Sequence, residues 1–189
     1  ESPNKDALGL PTTPDLFVSW DDNENANKIQ NNILIILSGT ARLIGKQNNK
    51  KVTIAKLGAG TPIGLASLLR AQACEEVNAS EDLKVLSIAD KLIIDLYQKD
   101  IQFRSNCNNL LYPSELLFIA EYLIEKSSRT DIDLKTSFNI LFKTSQLNTF
   151  ENGKNISLNN DFQSIIASGN FEDKKIGDLL TEDVQAICR

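Results

Sequence analysis

The sequence predicts an α+β chain, a mainly β unit followed by α-helices. Three observations lead there. Short apolar runs separated by turn residues fill Lys28 to Ser87, apolar residues recur at helical spacing from Asp90 to Phe142, and the text turns rich in Asn and Gly beyond Glu151. Short strands at such spacing fit a sandwich, a barrel or a jelly roll. A length of 189 residues holds one domain of ordinary size, or one compact domain with a smaller appendage.

The chain divides into four stretches. Residues 1–27 read as a turn-rich lead-in with Pro3, Gly9, Pro11 and Pro14, an apolar run Leu16, Phe17, Val18 and Trp20, and a polar loop from Asp21 to Asn27. Residues 28–101 are expected to form the β unit, residues 102–150 a helical region, and residues 151–189 the start of a further element, expected to be cut short. Within the β unit, Ile33 to Leu37 is a buried strand, Gly39 permits a bend, and Ala41 to Ile44 is a second strand ending in the hydrophilic tip Lys46 to Lys51. Val52, Ile54 and Leu57 continue the pattern to Gly58-Ala59-Gly60, whose two glycines are expected to supply positive φ angles. Glu76 to Ala79 and Leu83 to Ile88 add two more strands.

Between them Leu65-Ala66-Ser67-Leu68-Leu69-Arg70 contains helix formers and no β-branched residue, enough for one or two helical turns. Such a turn inside a β unit must satisfy its own end groups, so it is a corner of the fold or a binding element.

Asp90 is the expected N-cap of a helix through Lys99 with Leu92, Leu96 and Tyr97 on its inner face. Pro113 stands at a first helical position before Ser114 to Lys126, where Leu116, Leu117, Ala120, Leu123 and Ile124 make an apolar face. Asp131 or Asp133 caps a further helix carrying Leu134, Phe138, Leu141 and Phe142. Ser164 to Ala167 reads as a strand, and Phe171 to Leu180 as a loop with a short helix or strand.

Composition removes several chemistries. The chain has no histidine, so no Ser-His-Asp or Cys-His unit can be built, and a cupin-like metal site of histidines plus a carboxylate is excluded with it. Glu75 and Glu76 are neighbours on a strand, point to opposite faces and are not expected to ligate one ion. Cys74, Cys107 and Cys188 show no C-x-x-C spacing, which fits buried thiols in a reducing, cytoplasmic setting better than a disulfide framework. The formal net charge of -5 argues against a nucleic-acid surface, and the stretch from Leu110 to Arg189 is itself more acidic than basic. No apolar run approaches the roughly 18 residues of a membrane span. The absence of methionine suggests a piece of a longer protein.

The stretch Ile33 to Ile101 resembles the cyclic nucleotide-binding domain family, β-jelly-roll regulatory modules. Leu37-Ser38-Gly39-Thr40-Ala41-Arg42-Leu43-Ile44 looks like the family's glycine corner between two strands. Leu57-Gly58-Ala59-Gly60-Thr61-Pro62-Ile63-Gly64 looks like its turn into the phosphate-binding cassette, and Leu68-Leu69 like the paired apolar residues of the cassette helix. Val77-Asn78-Ala79, Val85-Leu86-Ser87-Ile88 and Leu92 to Leu96 resemble the closing strands and the helix that follows. The resemblance implies a jelly roll and places a ligand pocket at Gly64, Leu65, Ala66, Ser67, Arg70, Ala73, Cys74 and Glu75.

It also implies a defect in that pocket. Members that bind cyclic nucleotides carry a glutamate for the ribose 2′-hydroxyl where this chain has Leu65. They carry an arginine for the cyclic phosphate where this chain has Ala73, six residues before Ala79. Losing one partner of a buried charge pair costs about 2 to 5 kcal/mol, and the nearby Glu75 and Glu76 work in the same direction. Arg70 would reach the pocket only from the helix end, while the helix N-terminus near Leu65 is expected to keep amides open to an anion.

The cassette text, with Phe103-Arg104-Ser105-Asn106-Cys107 and Tyr112-Pro113-Ser114-Glu115-Leu116, is similar to the segment preceding the peptidase and transporter portions of some cyanobacterial ABC exporters of toxin- and bacteriocin-secretion type. The expectation is therefore a non-catalytic regulatory or interaction module with a degenerate pocket and no bound cofactor, on the cytoplasmic side of a larger exporter whose other parts carry any ATPase or peptidase activity. Its expected partners are the rest of that chain, another protein, or a second copy through the helical region, with no nucleic acid and no membrane insertion of its own. The competing readings are a Crp-type transcription regulator and a working cyclic-nucleotide or other small-ligand sensor.

Overall fold

The computed structural model of the chain describes residues 31–70, 73–129, 131–150, 155–158, 161, 163–167, 176–181 and 184–185. The expected lead-in over 1–27, its Leu16 to Trp20 run and Cys188 lie outside the described residues. The architecture is the α+β jelly roll with C-terminal helices that the sequence predicts.

Two three-stranded antiparallel sheets form the roll. In the first, β1 (Asn32–Ser38) lies between β4 (Pro62–Ile63) and β6 (Lys84–Ala89); in the second, β2 (Ala41–Gln47) lies between β3 (Lys50–Leu57) and β5 (Glu76–Ala79). The continuous apolar text of β1 has a structural reason: Leu34 and Ile36 enter the core between the sheets, while Ile33 on the opposite face enters a second cluster with Leu65, Ala66, Cys74, Ile93 and Tyr112. A strand covered on both faces loses the polar alternation of a half-exposed one. The hydrophilic tip is shorter than expected, because β2 and β3 pair as far as Gln47 and Lys50 and leave only Asn48 and Asn49, both at positive φ, in the turn. Of the two glycines at 58 and 60, Gly60 alone has positive φ. Pro62–Ile63, read from the sequence as part of a turn, forms a short strand because Ile63 and Pro62 pair with Leu34 and Ile35.

The cassette helix α1 (Leu65–Arg70) follows at once. Next come α2 (Asp90–Lys99), α3 (Ile101–Asn108), α4 (Pro113–Ser127) and α5 (Leu134–Thr144). Asp90 is the first helical residue of α2 and not its cap; Ala89 holds the cap position without a side-chain bond. The expected inner face of α2 is also rotated: Ile93 is the buried residue, whereas Leu92 and Leu96 are exposed. The helix α3, joined to α2 through Asp100, is capped by the Asp100 carboxylate, which accepts from the Phe103 amide at 2.9 Å.

The helices α4 and α5 complete the main core. Leu116, Leu117 and Ala120 from α4 and Leu134 and Phe138 from α5 meet Leu43, Ile54 and Val77 of the second sheet. Each such large side chain, fully buried, contributes about 2 kcal/mol of hydrophobic stabilisation. Asp133 is the cap of α5, accepting from the Thr136 amide at 2.7 Å. The close seat of α5 depends on Gly45, since a Cβ there would stand 2.9 Å from both Ile54 Cγ1 and Leu134 Cδ2. Phe142, expected on the inner face of α5, is exposed and stacks on Phe138 with ring centroids 5.7 Å apart.

Beyond Phe150 the described pieces are paired two-residue strands, β7 (Asn155–Ile156) with β10 (Val184–Gln185) and β8 (Ser164–Ile165) with β9 (Leu179–Leu180). Asp178 fastens this region to α4 by accepting from Tyr122 Oη and Lys126 Nζ, each at 2.9 Å.

Candidate functional site

The expected pocket residues lie on one connection, from the end of β4 through α1 to the start of β5. Gly64 turns the chain at φ +87, a conformation that an L side chain adopts only with strain, and so aims its own amide into the connection. The acceptor it meets is internal. The Glu75 carboxylate takes the Gly64 amide at 2.8 Å and the Ser67 hydroxyl at 3.1 Å, both through Oε1. The Cys74 amide in turn donates to Ser67 Oγ at 3.2 Å, and Ser67 Oγ lies 3.5 Å from Cys74 Sγ. Gly64, Ser67, Cys74 and Glu75 are thus one closed, buried network. Of the amides at the entry to α1, that of Gly64 is occupied by Glu75.

The other expected residues divide differently. Leu65 and Ala66 are core side chains packed with Ile33 and Ile93, and Ala73 is a buried methyl with no polar group to offer. Arg70 is only 6% exposed, a reversal of the expected pattern, since the apolar neighbours Leu68 and Leu69 are half-buried while the cation is inside. Its guanidinium stacks over Phe118 of α4, with Cζ 4.7 Å from the ring centroid. Glu76, by contrast, pairs at 3.0 Å with Lys51 of β3, across β2 in the same sheet and away from the partners of Glu75.

Two residues that the pocket reading missed come from α4. Glu115 is buried at 8% exposure, and burial pushes its carboxyl up to about 7, opposed by the Arg70 charge and by a backbone hydrogen bond in the turn at Tyr112 and assisted by the Glu75 charge. Phe118 backs Arg70. The signal available in the sequence was a carboxylate next to Leu116 and Leu117 on the expected inner face. Helix periodicity alone does not say that this face meets the cassette.

Electrostatically the network is unfavourable to nucleophilic chemistry. Burial raises the Cys74 thiol, and the neighbouring Glu75 and Glu115 charges add to this against the Ser67 hydrogen bond and Arg70, so the reactive thiolate is suppressed. Glu75 is raised by burial as well, with the Ser67 and Gly64 hydrogen bonds pulling the other way. Cys107, also buried and unpaired with another cysteine, is raised chiefly by burial.

No curated protein matches the chain. Among solved structures, similar ones include a cyclic nucleotide-binding-like protein from Brucella abortus, 23% identical over 39% of this chain and 64% of that one, TM-score 0.33. The catabolite activator protein of Thermus thermophilus is 18% identical over 60% of this chain and 65% of its own, TM-score 0.37. A cyclic nucleotide-binding domain from Methylobacillus flagellatus is 18% identical over 65% and 62%, TM-score 0.38. The matched part of this chain therefore spans less than two thirds of each of these structures. The segment that holds both three-stranded sheets, the cassette and α2, residues 25–100, matches the family model of the cyclic nucleotide-binding domain.

Proposed function

We propose that the chain is a non-catalytic regulatory module whose cassette is closed to cyclic nucleotides by its own Glu75. The observation that supports this is the pair of hydrogen bonds from Gly64 N and Ser67 Oγ to the Glu75 carboxylate. An incoming phosphate would need those donors and would meet a carboxylate in their place. The positions that the family resemblance gives to the phosphate arginine and the ribose glutamate are Ala73 and Leu65, which supply neither a cation nor an acceptor. Lost attraction and added repulsion thus act together. Isothermal titration of the chain with cyclic AMP and cyclic GMP tests this: no heat of binding at micromolar ligand is expected, and micromolar binding of either overturns it.

A module without its small ligand regulates through its contacts. The exposed apolar side chains Leu92, Ile94, Leu96 and Ile101 around the α2–α3 junction offer surface for the rest of a parent chain, another protein or a second copy. The resemblance of the cassette and of Tyr112 to Leu116 to ABC exporter segments supports a parent of that kind, with this module on its cytoplasmic side. Among the described residues no helix is long and apolar enough to cross a membrane, so in this reading the spans belong elsewhere in the parent. The parent gene tests it directly: transmembrane segments followed by a nucleotide-binding ATPase motif are expected, and a parent lacking both refutes the exporter assignment.

A further inference from the structure

Arg70 poses a separate chemical problem from the Glu75 network. Its Nε, Nη1 and Nη2 are all sealed from solvent, and none has a hydrogen-bonding partner among the described residues. A guanidinium presents five N–H donors in a planar fork and stays charged at any physiological pH. Phe118 satisfies the face of that plane and leaves its donor edge unmatched. Glu75 is committed to Gly64 and Ser67, and Glu115, although near enough to feel the Arg70 charge, makes no ion pair with it among the described residues. Interiors rarely leave a buried donor unpaired, and a charged fork is matched best by two oxygens of one oxyanion.

We propose that Arg70 is the cation of a small-anion site at the seam of α1 and α4, taking a sulfate-, phosphate- or carboxylate-type group on its donor edge while Phe118 backs its face. The site uses none of the donors that Glu75 occupies, so it stands or falls independently of the closed cradle. Glu115 regulates it. Ionised, Glu115 competes for the guanidinium and repels the anion; protonated, it does neither. Among the described residues, the other titratable groups facing this pair are Glu75 and Cys74 from the segment before β5 and Tyr112 at the start of α4. Burial holds the Cys74 thiol and the Tyr112 phenol protonated through the neutral range, which leaves the two carboxylates to set the pH response.

The test is a titration of the whole chain with sodium sulfate, whose charge is constant from pH 6 to 8, and in parallel with sodium acetate, at ionic strength fixed with sodium chloride. The readouts are the melting temperature and the NMR signal of the Arg70 Nε–H. Saturable stabilisation is expected, with a shift of that signal and binding about tenfold tighter at pH 6 than at pH 8. Arg70→Met should abolish saturation, and Glu115→Gln should weaken the pH dependence, leaving only the part that Glu75 contributes. A stronger response to sulfate than to acetate marks a tetrahedral oxyanion, and the reverse marks a carboxylate ligand. A linear response that leaves the Arg70 Nε–H signal unmoved in the unmutated chain overturns the proposal, whether or not Arg70→Met folds.

Discussion

The Glu75 carboxylate and the Gly64 amide, eleven positions apart in sequence, meet at 2.8 Å in the interior of the cassette connection. This contact joins the two ends of the segment that holds α1, and Ser67 on the helix itself makes the second bond to the same oxygen. It follows that Glu75 has a structural role beside its effect on ligands. Glu75→Ala leaves a buried amide and a buried hydroxyl without an acceptor and is expected to destabilise the chain by about 1 to 3 kcal/mol. Glu75→Gln retains a carbonyl oxygen for both donors and should cost less than half of that. Urea unfolding of the two variants beside the parent checks the order, and equal losses would show that the hydrogen bonds are not what Glu75 contributes.

Stability should fall with rising pH between about 4.5 and 7. Glu115 is protonated in the folded chain up to about 7, whereas its ordinary value is 4.5, so within that window the folded state binds a proton that the unfolded state releases. A state that binds more protons loses ground as protons become scarce, and the loss levels off above the folded value. The total from this residue is on the order of 3 kcal/mol at most. Glu75, raised in the same direction, adds to the slope. Unfolding free energies measured from pH 4.5 to 8 should show the decline, and Glu115→Gln should flatten it; a profile that rises across this window contradicts the assignment.

The seat of α5 on the second sheet should depend on the absence of a side chain at residue 45. Gly45→Ala places a Cβ against Ile54 and Leu134, two residues enclosed by the core, and is expected to cost about 1 to 3 kcal/mol through displacement of α5. Chemical denaturation measures it. A change smaller than about 0.5 kcal/mol would mean that α5 adjusts freely.

The end of α3 and the start of α4 are tied by the Tyr112 hydroxyl, which donates to the Cys107 carbonyl at 3.3 Å next to the Glu115 turn. Tyr112→Phe removes that bond and keeps the packing with Ile33 and Leu65, so a loss of about 1 kcal/mol is expected. Hydrogen exchange should show faster opening at the C-terminal end of α3, with the sheets unaffected. Equal acceleration across the whole chain would point to global destabilisation instead.

Much of this molecule was legible in the sequence because its signals are local. The strands from β1 to β6, apart from the two-residue β4, the short α1 and the Pro113 start of α4 follow from apolar runs, turn residues and caps that act within a few positions. What remained hidden depends on partners distant in sequence. The burial of Ile93 in place of Leu92 and Leu96 is decided by where α2 leaves β6, and Arg70 is inside because Phe118, 48 positions later, provides a ring to cover it. The candidate site shows the same division. The connection from Gly64 to Glu75 could be located from the text, and Ala73 and Leu65 could be seen to carry no polar side-chain group. That Glu75 turns inward to the Gly64 amide could not be read, since a carboxylate at the head of a strand normally faces water and nothing local reverses it.

The most direct measurement compares cyclic AMP binding to two variants of the chain by isothermal titration, after circular dichroism has shown both to be folded. One is the double variant Leu65→Glu with Ala73→Arg, which supplies the ribose acceptor and the phosphate cation but keeps Glu75. The other adds Glu75→Ala, which frees Gly64 N and Ser67 Oγ. Closure by Glu75 predicts that the triple variant binds and that the double variant binds at least about tenfold more weakly or not at all. Equal affinity of the two, or binding by the unmutated chain at micromolar ligand, would contradict it.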